Sequence, residues 1–325
     1  MAHMKTILLT NHYSAGPFRI VEEELPEGFA LRMLERNDED SLLCEIPEAE
    51  YLLASGRVKI SAEALEAAPR LKMIQRTGVG LDSLDLQAVK ARGIPLYVNQ
   101  GVNAQSVAEH TLLLTLACLR RLPQIHRKTT GGIWEKQAQG VQTSELAGKT
   151  VGLIGLGSIG RRVASLLRAF RARVVYFDPC RADETAEREM GLTFLPLREL
   201  ARCADVVSLH CPLTKENVGL IDREFIAGMK DGAILINTAR GGLVDLPALR
   251  EALTSGRLSF AALDVVPKEP VPADEPILRL ENVIVTPHVG GITEDSFRRM
   301  MHDAMRNIQC FSEGRFAEIA EARYL

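Results

Sequence analysis

The sequence has little that would suit a membrane protein, a metal-binding protein or a secreted disulfide-rich protein. Its most apolar helical run, "HTLLLTLACL" at 110–119, is shorter than the roughly 18 residues that a membrane span needs. The six cysteines form no Cys-x-x-Cys pair and the histidines show no ligand spacing, so we expect reduced thiols and no metal. The N-terminal residues lack the apolar core and cleavage site of a secretory signal, and we expect a cytoplasmic protein.

The chain also lacks a strong net charge. Its formal charge is −3, so no global field would attract nucleic acid or an anionic membrane, and we expect neither as a partner. Hydrophobic residues are 46% and charged residues 25% of the 325 residues, which is an ordinary globular composition of a length that favours about two domains.

What the sequence does contain is an alternation of short apolar runs with amphipathic helical segments. The apolar runs show no strict alternation, which is typical of strands covered on both faces and predicts parallel α/β sheets. The predicted strands are 6–9, 51–54, 71–75, 95–98, 150–154, 173–177, 205–209, 233–237, 259–263 and 283–285. The predicted helices between them are 62–68, 84–91, 159–170, 197–202 and 247–255.

Two longer helices interrupt this rhythm, at about 104–121 and 294–312. We interpret them as connections between two doubly wound domains, the second returning the chain to the first domain. The prediction is a discontinuous substrate domain, 4–101 with 289–325, and a dinucleotide-binding domain, 102–288. His110, within the first long helix, is interpreted as a packed polar residue.

A glycine fingerprint marks the predicted dinucleotide site. Gly155, Gly157 and Gly160 follow a predicted strand and open a predicted helix, the context in which Gly-x-Gly-x-x-Gly binds a pyrophosphate. The next strand ends at Asp178, about 18 residues after Gly160, near the roughly 20 expected for the acid that meets the ribose. This predicts NAD rather than NADP, although the positive charge of Arg181, three residues after Asp178, weakens the predicted preference. The alternative is a glycine turn that merely packs.

Three further strands end in side chains capable of chemistry. Arg240 follows the strand 233–237, Glu269 follows 259–263, and His288 follows 283–285. Ligands of open parallel sheets bind beyond the carboxyl ends of the strands. Arg240 could bind a substrate carboxylate, His288 could exchange a proton with the substrate oxygen, and Glu269 could orient the imidazole. The alternatives are an interface salt bridge, a turn histidine and a surface charge, respectively.

Several segments together resemble the D-isomer-specific 2-hydroxyacid dehydrogenase family. They are "TGVGLDSLDL" (77–86), "NAQSVAEHTL" (103–112), "GLIGLGSIGRRVA" (152–164), "HCPLT" (210–214), "NTARGGLVD" (237–245), "LDVVPKEP" (263–270) and "TPHVGG" (286–291). The resemblance implies a flavodoxin-like substrate domain and a Rossmann NAD-binding domain, with the active site in the cleft between them. It also implies an NAD-dependent oxidoreductase that acts on a D-2-hydroxy or 2-keto acid.

The resemblance further implies roles for particular residues. The catalytic three are Arg240, Glu269 and His288. The implied cofactor-binding residues are Gly155, Gly157, Ser158, Ile159, Gly160, Asp178, Thr238, Asp264 and Gly290. The substrate carboxylate would be held by Arg240 and by the backbone N–H groups of the Val79–Gly80 turn. A homodimer is implied, built through the helix near residue 104 and the arm 123–147, which contains the single tryptophan.

The substrate stays open at this level. The segment "IQRTGVGLDSLD" (74–85) looks most like the D-3-phosphoglycerate dehydrogenases, which would make Arg76 a phosphate-binding residue. The alternative is that Arg76 is a structural ion-pair partner. Glyoxylate or hydroxypyruvate reduction is also compatible with the family. The non-enzymatic alternative is an NAD-sensing, corepressor-like binding protein.

Overall fold

The computed structural model describes residues 4–325. Twelve strands and thirteen α-helices lie in this range, together with four short 3-10 helices. The strands are β1 (Lys5–Leu9), β2 (Phe29–Met33), β3 (Tyr51–Ala54), β4 (Met73–Arg76), β5 (Leu96–Tyr97), β6 (Thr150–Ile154), β7 (Arg173–Phe177), β8 (Leu192–Phe194), β9 (Val206–Leu209), β10 (Ala233–Asn237), β11 (Leu258–Leu263) and β12 (Val283–Val285).

The helices separate most of these strands along the chain. They are α1 (Ala15–Glu23), α2 (Glu39–Glu45), α3 (Ala62–Glu66), α4 (Leu86–Ala91), α5 (Ala104–Leu119), α6 (Leu122–Thr130), α7 (Lys136–Gly140), α8 (Ser158–Ala169), α9 (Glu184–Met190), α10 (Leu197–Cys203), α11 (Arg223–Gly228), α12 (Leu246–Thr254) and α13 (Glu294–Ser312). The 3-10 helices are Ile46–Glu48, Gly241–Leu243, Pro276–Arg279 and Phe316–Ala322.

The described chain divides into two compact units. One comprises residues 4–103 with Thr293–Leu325, and the other is Ala104–Ile292. The sequence predicts the corresponding boundaries at 101/102 and 288/289. The second unit therefore begins two residues later and ends four residues later than predicted, and it contains the whole turn that follows β12.

The first unit is built on a five-stranded parallel sheet in the order β2-β1-β3-β4-β5. This is the flavodoxin-like strand order. Successive residues of its central strands bury opposite faces, since Leu8 and Leu52 pack in one core while Ile7 and Leu53 pack in the other. Helix α13 closes the second of these cores with Met301 and other side chains.

The second unit is built on a seven-stranded parallel sheet in the order β8-β7-β6-β9-β10-β11-β12. Counted within the unit, this is the Rossmann order 3-2-1-4-5-6 with one further strand. Its cores also lie on both faces, with Leu235 of β10 on one side and Ile234 and Ile236 on the other. The prediction of two doubly wound parallel sheets is confirmed.

Polar side chains cap the starts of most helices that surround the sheets. Asp183, Asp222 and Asp245 each accept a hydrogen bond from a backbone N–H in the first turn of α9, α11 and α12. Such caps satisfy donors that would otherwise lack partners. Helix α8 differs, because it begins after Gly157 and has no side-chain cap. Its first N–H groups thus remain available to another acceptor.

Helix α5 contains the most apolar run of the sequence. The side chains of Ala108, Leu114 and Cys118 are buried in a core of the second unit. Among residues 4–325, no helix combines the length and the apolar character that crossing a membrane requires.

Candidate active site

Three neighbouring strands of the seven-stranded sheet end beside one another. Strands β10, β11 and β12 are adjacent and parallel, so their carboxyl ends share one edge of the sheet. The segments that leave these ends carry Arg240, Glu269 and His288. The fold therefore brings to one edge three residues that are far apart in the sequence.

The turn after β10 is braced by the last residue of the strand. The side chain of Asn237 accepts a hydrogen bond from the backbone N–H of Ala239 at 3.0 Å and donates one to the carbonyl of Arg240 at 2.9 Å. The Arg240 guanidinium donates to the carbonyl of Ala239 at 2.8 Å. A buried asparagine thus folds the backbone that delivers the positive charge.

Gly241 allows the turn after β10 to touch the loop after β11. A Cβ on Gly241 would lie 2.0 Å from the carbonyl carbon of Val266. Three residues beyond this contact stands Glu269, whose Oε1 accepts a hydrogen bond from the N–H of Val266 at 3.2 Å. The close approach of the two backbones therefore fixes Glu269 relative to Arg240.

His288 and Glu269 form a hydrogen-bonded pair. The distance from His288 Nδ1 to Glu269 Oε2 is 2.8 Å, and both side chains are partly exposed. The hydrogen bond that His288 donates to Glu269 raises the pKa of His288 against the opposing effect of burial, while the positive charge of Arg240 lowers it. For Glu269, burial acts to raise the pKa, but the bond and charge of His288 bring it below its ordinary value. The carboxylate therefore holds the imidazole by Nδ1 and leaves Nε2 for proton exchange.

The turn that carries His288 is held in an uncommon backbone conformation. His288 has φ of +56°, a left-handed value that side-chain-bearing residues seldom adopt. Its N–H donates to the carbonyl of Asp264 at 2.8 Å. The Asp264 carboxylate accepts further hydrogen bonds from the N–H groups of Val289 and Gly290, at 3.0 and 2.8 Å, and from the hydroxyl of Thr286 at 2.5 Å. Asp264 thus stabilises the conformation that positions His288.

His110 of helix α5 completes this arrangement. Its Nε2 lies 3.1 Å from the hydroxyl of Thr286 and 3.5 Å from Oδ1 of Asp264. Burial raises the pKa of Asp264, but hydrogen bonds from His110, Thr286 and the backbone lower it overall. The sequence interpretation of His110 as a packed polar residue misses this contact, since no local spacing links residue 110 to 264 or 286.

The glycine fingerprint forms a tight turn at the amino end of α8. Gly155 has φ of +103°, and a Cβ there would lie 2.6 Å from the backbone of His210. A Cβ on Gly160 would lie 2.3 Å from the carbonyl oxygen of Gly155, whereas one on Gly157 would meet nothing within 4 Å. The turn is therefore packed on its inner side and open on its outer side. The uncapped first-turn residues Ser158 and Ile159 begin α8 behind this open side.

Asp178 lies beside the same turn. Its Oδ2 accepts the N–H of Leu156 at 2.8 Å, and its Oδ1 accepts the N–H of Cys180 at 2.8 Å. An open glycine turn, an uncapped helix and an adjacent carboxylate fit the pyrophosphate and ribose of a dinucleotide. The residues of this unit would hold NAD through these groups.

Thr238 and Gly290 lie in the turns that carry Arg240 and His288. The hydroxyl of Thr238 is 2.9 Å from that of Thr111 in α5. A Cβ on Gly290 would lie 2.8 Å from Oδ2 of Asp264, so only glycine fits against that carboxylate. Both predicted cofactor positions therefore adjoin the strand ends that carry Arg240 and His288.

The remaining predicted substrate residues belong to the first unit. Val79 is exposed, and the carbonyl of Gly80 accepts hydrogen bonds from Nε and Nη2 of Arg76. The Arg76 side chain also bonds the carbonyl of Ser55 and the hydroxyl of Ser83. Arg76 is only 4% exposed. Its guanidinium therefore braces the Thr77–Gly80 turn from within.

The sequence is similar to those of known proteins. Residues 112–290 match the family described as "D-isomer specific 2-hydroxyacid dehydrogenase, NAD binding domain". A D-3-phosphoglycerate dehydrogenase of Archaeoglobus fulgidus is 42% identical over 258 residues, covering 79% of this chain and 48% of that protein. A hydroxypyruvate reductase of Thermotoga maritima is 41% identical over 269 residues, covering 82% and 86%. The chain spans about half the length of the phosphoglycerate dehydrogenases that it matches first.

Solved structures show the same fold. The TT0316 protein of Thermus thermophilus superposes with a TM-score of 0.85 at 36% identity, covering 95% of this chain and 97% of that one. A D-lactate dehydrogenase of Aquifex aeolicus, complexed with NAD and lactic acid, gives 0.86 at 31% identity and covers 98% of each chain. The family match identifies the NAD-binding domain, and the predicted cofactor, NAD, is confirmed.

Proposed function

Because the chain belongs to the D-isomer-specific 2-hydroxyacid dehydrogenase family, as the resemblance predicts, we propose that it is an NAD-dependent oxidoreductase. The reaction is hydride transfer between the nicotinamide and a D-2-hydroxy or 2-keto acid. The observation that carries the proposal is the His288–Glu269 pair, within the field of Arg240, at the end of the sheet that also carries the glycine turn.

Each of the three residues has a distinct part in the proposed reaction. When bound, NAD supplies or accepts the hydride at the reacting carbon. In the direction of reduction, protonated His288 donates its Nε2 proton to the carbonyl oxygen of the substrate. Glu269 stabilises the imidazolium through Nδ1, which keeps the proton donor charged at higher pH. Arg240 binds the carboxylate and polarises the carbonyl.

The carboxylate has a second proposed binding element in the first unit. We assign the substrate-domain role to this unit and the carboxylate contact to the N–H groups of Val79 and Gly80. The exposure of Val79 and the bracing of Gly80 by Arg76 support this role. A turn that is already fixed in the free protein loses less entropy when its N–H groups bind a ligand.

The contacts of Arg76 help to choose between a phosphorylated and an unphosphorylated substrate. Its guanidinium is engaged with the carbonyls of Gly80 and Ser55 and with Ser83, which favours a structural role over phosphate binding. We therefore propose a small unphosphorylated keto acid, such as hydroxypyruvate or glyoxylate, ahead of the phosphorylated substrate of 3-phosphoglycerate dehydrogenases.

We also propose a homodimer formed through the arm that follows α5. Large apolar side chains are exposed along this region in the single chain, with Trp134 at 81% and Val141 at 82%. Leu113, Leu122 and Ile133 are exposed in the same region. Burying such a surface against a second copy would remove it from water. A cytoplasmic location remains a prediction from the cysteine pattern.

A reductase assay tests the proposed activity. The protein is mixed with NADH and, separately, glyoxylate, hydroxypyruvate, pyruvate and phosphohydroxypyruvate, and NADH absorbance is followed. We expect turnover of at least one keto acid, with unphosphorylated substrates preferred. Binding of NADH without turnover of any member of a panel extended to bulkier keto acids would instead favour the corepressor-like, NAD-sensing alternative.

A further inference from the structure

Arg181 lies three residues after Asp178, where a guanidinium could donate hydrogen bonds to the 2′-phosphate of NADP. It is engaged elsewhere. Its Nε donates to Oε1 of Glu187 at 2.8 Å and its Nη2 donates to Oε2 at 2.9 Å. This is the bidentate fork that makes arginine–carboxylate pairs both strong and directional. The guanidinium carbon also lies 5.1 Å from the ring centroid of Phe194, which adds a cation–π contact.

Glu187 is itself fixed from the other side. The buried hydroxyl of Tyr176 donates to Oε1 of Glu187 at 2.7 Å and accepts the N–H of Ala182 at 3.0 Å. The bonds from Arg181 and then from Tyr176 lower the pKa of Glu187 to about 2. The carboxylate is therefore charged, buried and unable to follow a mobile arginine, so it holds Arg181 in place.

Within residues 4–325, Asp178 forms no ion pair with a cationic side chain. Its two oxygens accept the backbone N–H groups of Leu156 and Cys180. A ribose diol can donate to this carboxylate, whereas a 2′-phosphate would meet an acceptor of like charge. Binding of NADP would thus need a positive group to offset Asp178, and the nearby Arg181 is committed to Glu187.

We propose that Glu187 is a specificity-determining residue for the dinucleotide, because it withholds Arg181 from the position where a 2′-phosphate would bind. Glu187 acts through Arg181 and is a positioning residue. The inference rests on the proposed function only in taking Asp178 as the ribose-binding acid. It adds a second determinant of NAD preference to that acid.

Equilibrium binding to the full-length protein tests the proposal without requiring turnover. Isothermal titration calorimetry gives the Kd of NADH and NADPH for the parent, Glu187→Gln and the double variant with Arg181→Ala. Glutamine keeps an acceptor for Tyr176 but cannot form the charged fork. We expect Glu187→Gln to lower the ratio of the NADPH Kd to the NADH Kd by about tenfold or more, with the NADH Kd within about twofold of the parent. The double variant should lose this gain.

Glu184→Gln is the matched control, because it removes the same charge from an exposed position of the same helix. It should leave the ratio unchanged. An equal change of the Kd ratio in Glu187→Gln and Glu184→Gln would overturn the proposal. So would a lowered ratio that persists when Arg181→Ala is added to Glu187→Gln. So would an unchanged ratio in Glu187→Gln with parent-like thermal unfolding. A substitution at Tyr176, Tyr176→Phe, provides a second variant if Glu187→Gln unfolds, and should lower the ratio in the same direction.

Different results would contradict the proposed keto-acid reductase activity and the proposed role of Glu187. A parent protein that binds NADH but reduces no keto acid contradicts the proposed activity and leaves the Kd ratios interpretable. A parent protein that binds NADPH as tightly as NADH contradicts the role of Glu187, whatever the turnover.

Discussion

Gly241→Ala perturbs the contact that fixes the proposed catalytic residues Arg240 and Glu269 relative to one another. A Cβ at this position would lie 2.0 Å from the carbonyl carbon of Val266, 2.2 Å from its oxygen and 2.4 Å from the nitrogen of Pro267. Ordinary contact begins at 3.4 Å, so the segment must retreat by about 1.4 Å, the difference between 3.4 and 2.0 Å. All three atoms are backbone, and no change of rotamer can relieve the overlap.

The displacement passes to Glu269, which stands three residues beyond Val266 and bonds its N–H. A misplacement of about 1 Å costs on the order of 10²-fold in rate, and we expect this loss in kcat/KM for the best keto acid. Overpacking of this kind costs about 1–3 kcal/mol of stability. The glycine turn, which we propose binds the pyrophosphate of NADH, is elsewhere on the sheet edge, so the Kd of NADH should change by less than about twofold.

The neighbouring glycine provides the control. A Cβ on Gly242 would meet the side chain of Leu213 at 2.9 Å, which can rotate away. Initial rates of NADH oxidation, NADH titrations and thermal unfolding are measured for both alanine variants. Gly241→Ala with the kcat/KM of the parent, or an equal loss in both variants, would refute the reasoning about this contact.

Two further substitutions test individual contacts. Glu269→Gln removes the charge that raises the pKa of His288. Because reduction needs the protonated imidazole, its rate falls as pH rises through that pKa, and the falling limb of the kcat/KM profile should move to lower pH. Arg76→Lys keeps a positive charge but loses the fork to Gly80. It should lower kcat/KM by similar factors, about tenfold or less, for hydroxypyruvate and phosphohydroxypyruvate, measured by NADH oxidation.

Each of these has its own control. Asp274→Asn removes an exposed carboxylate from the loop of Glu269 and should leave the falling limb of the kcat/KM profile at the parent pH. If Glu269→Gln also leaves that limb unmoved, Glu269 does not set the protonation of His288. Arg57→Ala alters an exposed arginine two residues after Ser55, whose carbonyl Arg76 contacts, and should affect the kcat/KM of neither substrate. A loss confined to phosphohydroxypyruvate in Arg76→Lys would restore the phosphate-binding interpretation.

The interior strands could be predicted from the sequence because they are continuous apolar runs. The predicted bounds of β3, β6, β7, β10 and β12 coincide with the structure, and those of the other predicted strands differ by one or two residues. The strands β2 and β8 are absent from the prediction. They lie at the edges of their sheets, and β2 contains Arg32 while β8 has only three residues. Edge strands need less apolar surface, since pairing with a neighbour stabilises them.

Helices that bury no continuous apolar face also could not be predicted from the sequence. Helix α6 has no buried residue, and α7 and α9 are short, so neither length nor periodicity indicates them. Conversely, α13 is predicted with the observed bounds because Thr293 caps it and its apolar residues recur at helical spacing.

The site residues could be proposed from strand ends because parallel topology brings such ends together. The contacts that position these residues could not be predicted from the sequence. The bracing of the His288 turn by Asp264 and His110 joins segments that are distant in the sequence. The engagement of Arg181 by Glu187 depends on where α9 returns to the sheet edge. Such contacts are properties of the folded backbone, and residue type and local spacing do not encode them.

In the proposed reaction, His288 is the proton donor of a site already able to bind NADH. The most direct test compares His288→Ala with the parent by keto-acid turnover and by NADH titration, with His302→Ala as control, because His302 is another histidine bonded to a glutamate, Glu24, at 2.9 Å. We predict a fall in kcat of about 10²–10⁴-fold, an NADH Kd within about twofold, and no change in the control. Turnover at the parent rate by His288→Ala would contradict the account.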